Sequence, residues 1–279
     1  MKIRAKTIRY TALGLCFGLT VSCTAPATNR QPETEAGNYQ LVWSDEFDYT
    51  GLPDTSKWSF DTEGNAWGWG NNEAQFYTSS DPDNASVKDG QLFITALKEE
   101  TNGHSYSSAR LRTAKKGDWL YGRFEVRAKL PSGRGMWPAI WLLPTDWEYG
   151  GWPQSGEIDL MENVGYAPDT ILSTVHTEAF NHVRGTQKGD SIVISTCYTD
   201  FHVYRLDWEA DSMAMFVDGQ HVFTFRKEGS SFAAWPFDKR FHLLLNVAVG
   251  GNWGGKFGID DSIFPRTMVV DYVRVYQRK

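Results

Sequence analysis

The chain predicts an all-β fold of two packed antiparallel sheets, on three observations. From Tyr39 onward, short runs alternate apolar and polar residues with the two-residue period of a half-buried strand, and Gly, Asp and Asn break the runs at regular spacing. Asp218-Gly219 stands between the apolar runs 213–217 and 221–225, and Asp-Gly suits the type I′ turn of a tight hairpin. The composition, with 26 Gly, 12 Trp and few amphipathic repeats of helical period, leans the same way. At 279 residues and 41% hydrophobic content, one domain of ordinary size is expected.

Taken in order, the chain opens on a targeting signal. Lys2, Arg4, Lys6 and Arg9 form a basic segment, and 10–21 an apolar one too short to span a bilayer. The signal ends at Leu19-Thr20-Val21-Ser22-Cys23, which resembles a bacterial lipobox, although Leu19 lies one place further from Cys23 than the usual pattern has it. On that resemblance residues 1–23 are a lipoprotein signal peptide and Cys23 is lipidated. The protein is then exported to the outer membrane or surface of a Gram-negative cell and touches the membrane only through the lipid. Thr24, rather than Asp, after Cys23 favours the outer membrane. The rival is ordinary cleavage after Ala25 or Ala27, giving a secreted or periplasmic protein. Residues 24–38 are polar, hold Pro26 and Pro32, and read as a flexible tether to a single domain over 39–279.

Within 39–279 the strands alternate clearly. Leu92, Ile94 and Ala96 share one face; Phe124, Val126, Ala128 and Leu130 face away from Arg123, Glu125, Arg127 and Lys129. Leu243, Leu245, Val247 and Val249 form another face, and 269–276 close the chain. Asp271 falls in line with Val269, Val273 and Val275, where an unpaired charge costs several kcal/mol.

Charge and cysteine usage exclude several functions. Without the four basic residues of the signal, a formal charge of −6 becomes −10, a surface that disfavours nucleic acid and polyanionic sugars and leaves neutral glycans open. Cys16 leaves with the signal and Cys23 is taken by lipid, so Cys197 has no partner for an intrachain disulfide. No His or Cys spacing supports a zinc site. A monomer is expected.

The chemistry concentrates in Gly156-Glu157-Ile158-Asp159-Leu160-Met161-Glu162. As a helix, Glu157 and Glu162 would lie about 140° apart around the axis. As a regular strand, Glu157 and Asp159 share a face and Glu162 takes the other. One extra residue near Leu160-Met161, a β-bulge, brings all three acids to one face. Crowded carboxylates raise each other's pKa, so structure alone is a poor reason to assemble them. Two carboxyls about 5 Å apart, one nucleophile and one proton donor, are what hydrolysis of a glycosidic bond with retention requires. An exposed strand edge with solvated acids is the plainer account, and the surrounding Trp137, Trp141, Trp147 and Trp152 argue against it.

These residues resemble the active-site strand of glycoside hydrolase family 16, whose signature is E-x-D-x-x-E, and most closely its laminarinase, or endo-β-1,3-glucanase, branch. The resemblance spans nearly all of 39–279. It implies a β-jelly-roll sandwich with a concave cleft for a neutral β-glucan, and no cofactor for catalysis. It makes Glu157 the nucleophile, Glu162 the acid that then becomes the base, and Asp159 their electrostatic partner. Trp137 and Trp141, four residues apart in a strand, share a face; core is the plain reading, but an indole offers a sugar a ring to stack on and an N–H free to bond. The resemblance places both in subsites, matches Asn72 and Arg110 to sugar contacts, and sends His176 of Val175-His176-Thr177-Glu178-Ala179-Phe180-Asn181-His182 toward the acceptor side. An ion pair explains Arg110 or Arg112 equally well. Gly250-Gly251-Asn252-Trp253 is expected as a rim loop, with Trp253 as a platform. The family's calcium on the convex side, structural rather than catalytic, would fall to Asp271, the carbonyl of Gly90 and the region of Glu46. A galactan hydrolase of agar type and a non-catalytic glucan-binding protein of the same fold remain as alternatives. The intact acid trio argues against the second, and the His176 segment and 260–265 favour glucan over galactan.

Overall fold

A computed structural model describes residues 39–279; the signal, Cys23 and the tether lie outside the described residues. Alternation builds the strands as the pattern predicts. In Gly122–Lys129, Phe124, Val126 and Ala128 are fully buried, while Arg123, Glu125, Arg127 and Lys129 remain partly exposed. Asp218 and Gly219, with φ of 49° and 77°, make the left-handed turn between Ser212–Val217 and Gln220–Arg226.

The strands form a β-jelly-roll sandwich of two eight-stranded sheets. The outer sheet runs Gln220–Arg226, Ser212–Val217, His202–Trp208, Gly122–Lys129, Arg266–Arg278, Gln91–Ala96, Ala85–Lys88, with Tyr39–Asp45 also paired to Arg266–Arg278. The inner sheet runs Lys188–Val193, Thr170–His176, Glu157–Glu162, Met136–Pro144, Phe241–Val249, Arg110–Arg112, Ser59–Phe60, and Asp118–Trp119 adds to Phe241–Val249. Between the sheets lies one apolar core that includes Leu92, Ile94, Phe124, Ile158, Trp208, Phe241 and Leu245, all fully buried. Each such side chain stabilises the fold by roughly 1.5–3 kcal/mol. Phe241–Val249 is buried at every position. Leu243, Leu245, Val247 and Val249 enter the core, whereas His242, Asn246 and Ala248 line a groove on the other face of the sheet.

Two bulges set the acids of the molecule. In the inner sheet, Ile140 and Trp141 pair with Met161 and Asp159, so Leu160 is an extra residue. Toward the other neighbour the skip recurs between Asp159 and Glu162. Ser173 Oγ donates to the Leu160 carbonyl at 2.8 Å, which satisfies a backbone acceptor that the bulge takes out of the ladder. In the outer sheet, Val270 and Tyr272 pair with Ala128 and Arg127, so Asp271 is itself the extra residue. This corrects the sequence reading of Asp271 as a charge among valines. Val270, Val273 and Val275 point into the core, and Asp271 turns outward to an ion pair with Arg127.

The same register explains where Glu46 and Gly90 stand. Asp45 pairs with Val273 and Leu92 with Val270, so the ends of two neighbouring strands flank Asp271 on one edge. Glu46 follows Asp45, and Gly90, with φ of 74°, sits in the turn before Gln91. The corner supplies oxygen donors of the kind a hard cation takes. Its carboxylates already serve guanidiniums: Arg274 bonds both oxygens of Glu46, at 2.9 and 2.8 Å, and Arg127 holds Asp271.

Candidate active site

A groove of about 570 Å³ crosses the exposed face of the inner sheet. Its floor carries Glu157, Asp159 and Glu162 together with Ala139, Trp141, Asn246 and Ala248, and aromatic rings of Trp67, Trp69, Trp137, Trp147 and Trp152 stand around it. Gly156 leads into the acid strand with φ of 88°, and a Cβ there would lie 2.8 Å from Pro236, so only glycine enters the strand at this angle.

The three acids share the groove but not their surroundings. Burial pushes all three carboxyls above the ordinary carboxylate range. Glu157 is raised further by the charge of Glu162, and Arg110 and a hydrogen bond from Trp152 pull it back. Glu162 is held down only by the indole N–H of Trp137, which donates to its Oε1 at 3.0 Å. Asp159, 3% exposed, feels both glutamates, and its Oδ2 meets no hydrogen-bond donor. Its carboxyl is raised well above the usual range. Glu157 rises to about 8 and Glu162 to about 7, and Asp159 is the worst placed of the three to carry charge.

Both indole N–H groups expected to be free are occupied. Trp137 uses its own on Glu162, and Trp141 donates to Asn246 Oδ1 at 2.8 Å. One of two polar residues in an apolar strand, with His242, Asn246 could have been noticed in the sequence for that reason. It donates in turn to the Tyr77 hydroxyl at 3.0 Å, and Tyr77 donates to Glu73 Oε2 at 3.4 Å. Glu73 also accepts from Gln75 at 2.7 Å, and burial raises its carboxyl. This chain of bonds fixes the Trp141 ring from behind the floor. Nothing in the spacing of Glu73, Tyr77 and Asn246 announces it, since the three converge only in the fold.

Arg110 is sandwiched between Trp69, at 4.3 Å, and Trp141, at 4.6 Å, and its Nε bonds Asp61 at 3.0 Å. Arg112 pairs with the same Asp61, at 3.2 Å, and with Glu63. The ion-pair account of both arginines therefore holds, while Arg110 still lines the groove. One face of Trp141 is covered by the guanidinium, which leaves the other for a ligand.

Three expected contacts stand back from the groove wall. Asn72 is exposed, with its amide on Asn252 at 2.9 Å, and its neighbours Asn71 and Glu73 line the groove instead. Trp253 reaches the site through Trp137, against which it packs edge-on at 5.3 Å. His176 is buried behind the acids, its Nε2 3.4 Å from Asp159 Oδ2 and 3.8 Å from Glu157 Oε1, and His182 takes the place on the wall. Burial and the neighbouring His182 push the His176 pKa down to about 4, so its imidazole is neutral near pH 7. Among the described residues Glu157, Asp159 and His176 are the group whose donor atoms approach closely enough to share a metal ion, within 4.8 Å of one another.

An open groove walled by aromatic rings, with buried carboxyls paired on its floor, defines an enzyme of carbohydrate chains: a glycoside hydrolase. Residues 72–274 match the family Glycosyl hydrolases family 16, and the chain belongs to it. It is 49% identical over 284 residues to the beta-glucanase of Rhodothermus marinus, an alignment that covers 99% of this chain and 97% of that one. The structure is similar to that of the laminarinase from Rhodothermus marinus, with a TM-score of 0.84 and 52% identity over 86% of this chain and 98% of the other. It also resembles the laminarinase from Flavobacterium sp. UMI-01, with a TM-score of 0.78 and 41% identity over 85% of this chain and all of that one, 100%.

Proposed function

We propose that the protein is an endo-β-1,3-glucanase that cleaves laminarin-type glucan with retention of configuration by double displacement. The single observation that carries this reading is the Leu160 bulge, which turns Glu162 to the groove face already held by Glu157 and Asp159. Relatives named as a beta-glucanase and laminarinases support the substrate class.

In this mechanism Glu157 attacks the anomeric carbon as an anion, stabilised by the charge of Arg110 and the Trp152 hydrogen bond. Glu162, kept protonated by burial, gives its proton to the departing glycosidic oxygen, and the Trp137 N–H aims the carboxyl. Once Glu157 is glycosylated its charge is gone, Glu162 ionises more easily, and it takes a proton from the incoming water. Asp159 adds negative potential between the two and holds a proton itself when both glutamates are charged. Trp137 and Trp141 supply stacking surface on the floor, with Arg110 and the Asn72 lip on the donor side and His176 behind the acceptor side. Trp253 acts through the position of Trp137.

A reducing-sugar assay tests the reading. Laminarin should be cleaved by the wild type and left intact by Glu157→Gln, whereas release from agarose with none from laminarin points to the galactanase alternative. A glucan-binding protein without activity would retain laminarin in affinity electrophoresis and release nothing.

Two further parts of the proposal lie away from the groove. Calcium held by Glu46, the Gly90 carbonyl and Asp271 would stabilise the native state by mass action and would compete with Arg127 and Arg274 for the carboxylates. Chelation should then lower the melting temperature of the wild type and much less that of Asp271→Asn. Lipid attachment at Cys23 should make membrane association depend on that residue, so Cys23→Ser should move the protein to the soluble fraction.

A further inference from the structure

We propose that Glu157, Asp159 and His176 also form a binding site for a divalent transition-metal ion of the zinc type, and that an ion seated there shuts the groove to substrate. Three Lewis bases converge. His176 Nε2 lies 3.4 Å from Asp159 Oδ2 and 3.8 Å from Glu157 Oε1, and one donor atom from each residue falls within 4.8 Å of the others. Ligands at about 2.1 Å on a tetrahedron lie about 3.4 Å apart, so two of the three edges are near the required length before any side chain moves.

The convergence is not explained by hydrogen bonds. Asp159 Oδ2, on a side chain 3% exposed, is buried and without a hydrogen-bond partner among the described residues. Buried polar atoms of this kind ordinarily find a donor or an ordered ion. An unprotonated imidazole offers the ion a lone pair at Nε2. A cation bound through His176 Nε2 would satisfy Asp159 Oδ2 and offset the crowding of negative charge at once. The donor set selects its chemistry: one imidazole with two carboxylates favours zinc, copper, nickel or cobalt, while calcium and magnesium take six or more oxygens. The remaining position opens to the groove, where water or His182, whose ring stands 5.1 Å from that of His176, completes the shell.

An ion bound to the Glu157 carboxylate occupies the oxygen that the proposed reaction uses, and the metal form is therefore inactive. Binding itself needs none of that reading, because it is measured without substrate. Calorimetric titration of the intact protein with zinc chloride should show one site, and cobalt chloride should give the intense visible absorption of a tetrahedral centre. His176→Ala and Asp159→Asn should each weaken zinc by about a hundredfold or more, since changes merely outside the ligand shell already cost tenfold to a hundredfold. His221→Ala, exposed on the outer sheet, should leave affinity unchanged. Should His176→Ala fail to fold by its melting curve, Glu157→Gln serves as the second ligand variant. No zinc binding by the wild type, or zinc affinity unaltered in the folded ligand variants, overturns the proposal.

Discussion

The bulge at Leu160 and the bulge at Asp271 are the same backbone device with opposite results. The first, in the inner sheet, swings Glu162 onto a floor that already holds two acids and withholds cations from them except Arg110. The second, in the outer sheet, swings Asp271 away from the core and delivers it to Arg127, one strand from the Glu46–Arg274 pair. Acids neutralised one for one with arginines hold sheets together; acids crowded without them are costly and persist for chemistry. The comparison predicts that changes at the first bulge spend activity and spare the fold, and that changes at the second do the reverse.

The largest effect is expected from Glu157→Gly. It should lower kcat on laminarin by roughly ten-thousandfold or more, as removal of a nucleophile does in hydrolases that use one. Glu46→Gln, the outer-sheet counterpart, should leave kcat within error of the wild type. With a glucoside that has a good leaving group, azide should rescue Glu157→Gly to an α-glycosyl azide and Glu162→Gly to the β product. Products the other way round would exchange the roles of the two glutamates.

Asp159→Asn should make the protein more stable in alkali. The sign follows from proton counting. The folded-state carboxyl is raised, so the native state holds a proton that the unfolded chain releases near 3.8, and stability falls as pH rises from there to the folded value. His176 works in the opposite sense: its pKa is lowered from 6.5 to about 4, and stability is lost as pH falls through that interval. The gain of Asp159→Asn is therefore read cleanly above pH 6.5, in melting curves, where the histidine contribution is flat.

Asp271→Asn should cost roughly 1–2 kcal/mol in urea unfolding, the loss of a charge-assisted bond to Arg127, with kcat unchanged. A loss of activity there would break the contrast between the two sheets. The smallest effect is expected from Trp137→Phe, which keeps a ring in place and removes the N–H on Glu162. With that support for the ionised form gone, the Glu162 carboxyl rises, and the alkaline limb of kcat against pH should move to higher pH with a loss of about tenfold in kcat at its maximum.

The acid floor was legible in the sequence because three acids within six residues of an apolar run leave few arrangements, and one of them needs a bulge at Leu160-Met161. The outer bulge was not legible. Alternation through Val269, Asp271, Val273 and Val275 fits an unbroken strand, and only pairing with Gly122–Lys129 reveals the extra residue. The fold class, the hairpin at Asp218-Gly219 and the core face of Gly122–Lys129 followed from period and turn chemistry alone. What local pattern could not supply was partners. The sequence offers Trp137 and Trp141 as stacking platforms with free N–H groups, yet Glu162 and Asn246 claim those groups from neighbouring strands. Asp61, Glu73 and Tyr77 carry no signal of their own until Arg110 and Asn246 are folded against them.

The central claim is that the acids gathered by the Leu160 bulge perform two successive displacements on a β-glucan. Proton NMR of the first product formed from laminarin by the wild-type protein, followed before mutarotation, tests it most directly. The account predicts that the new reducing end appears first as the β-anomer and that the α-anomer grows in later. An α-anomer present from the start would mean a single displacement and contradict it.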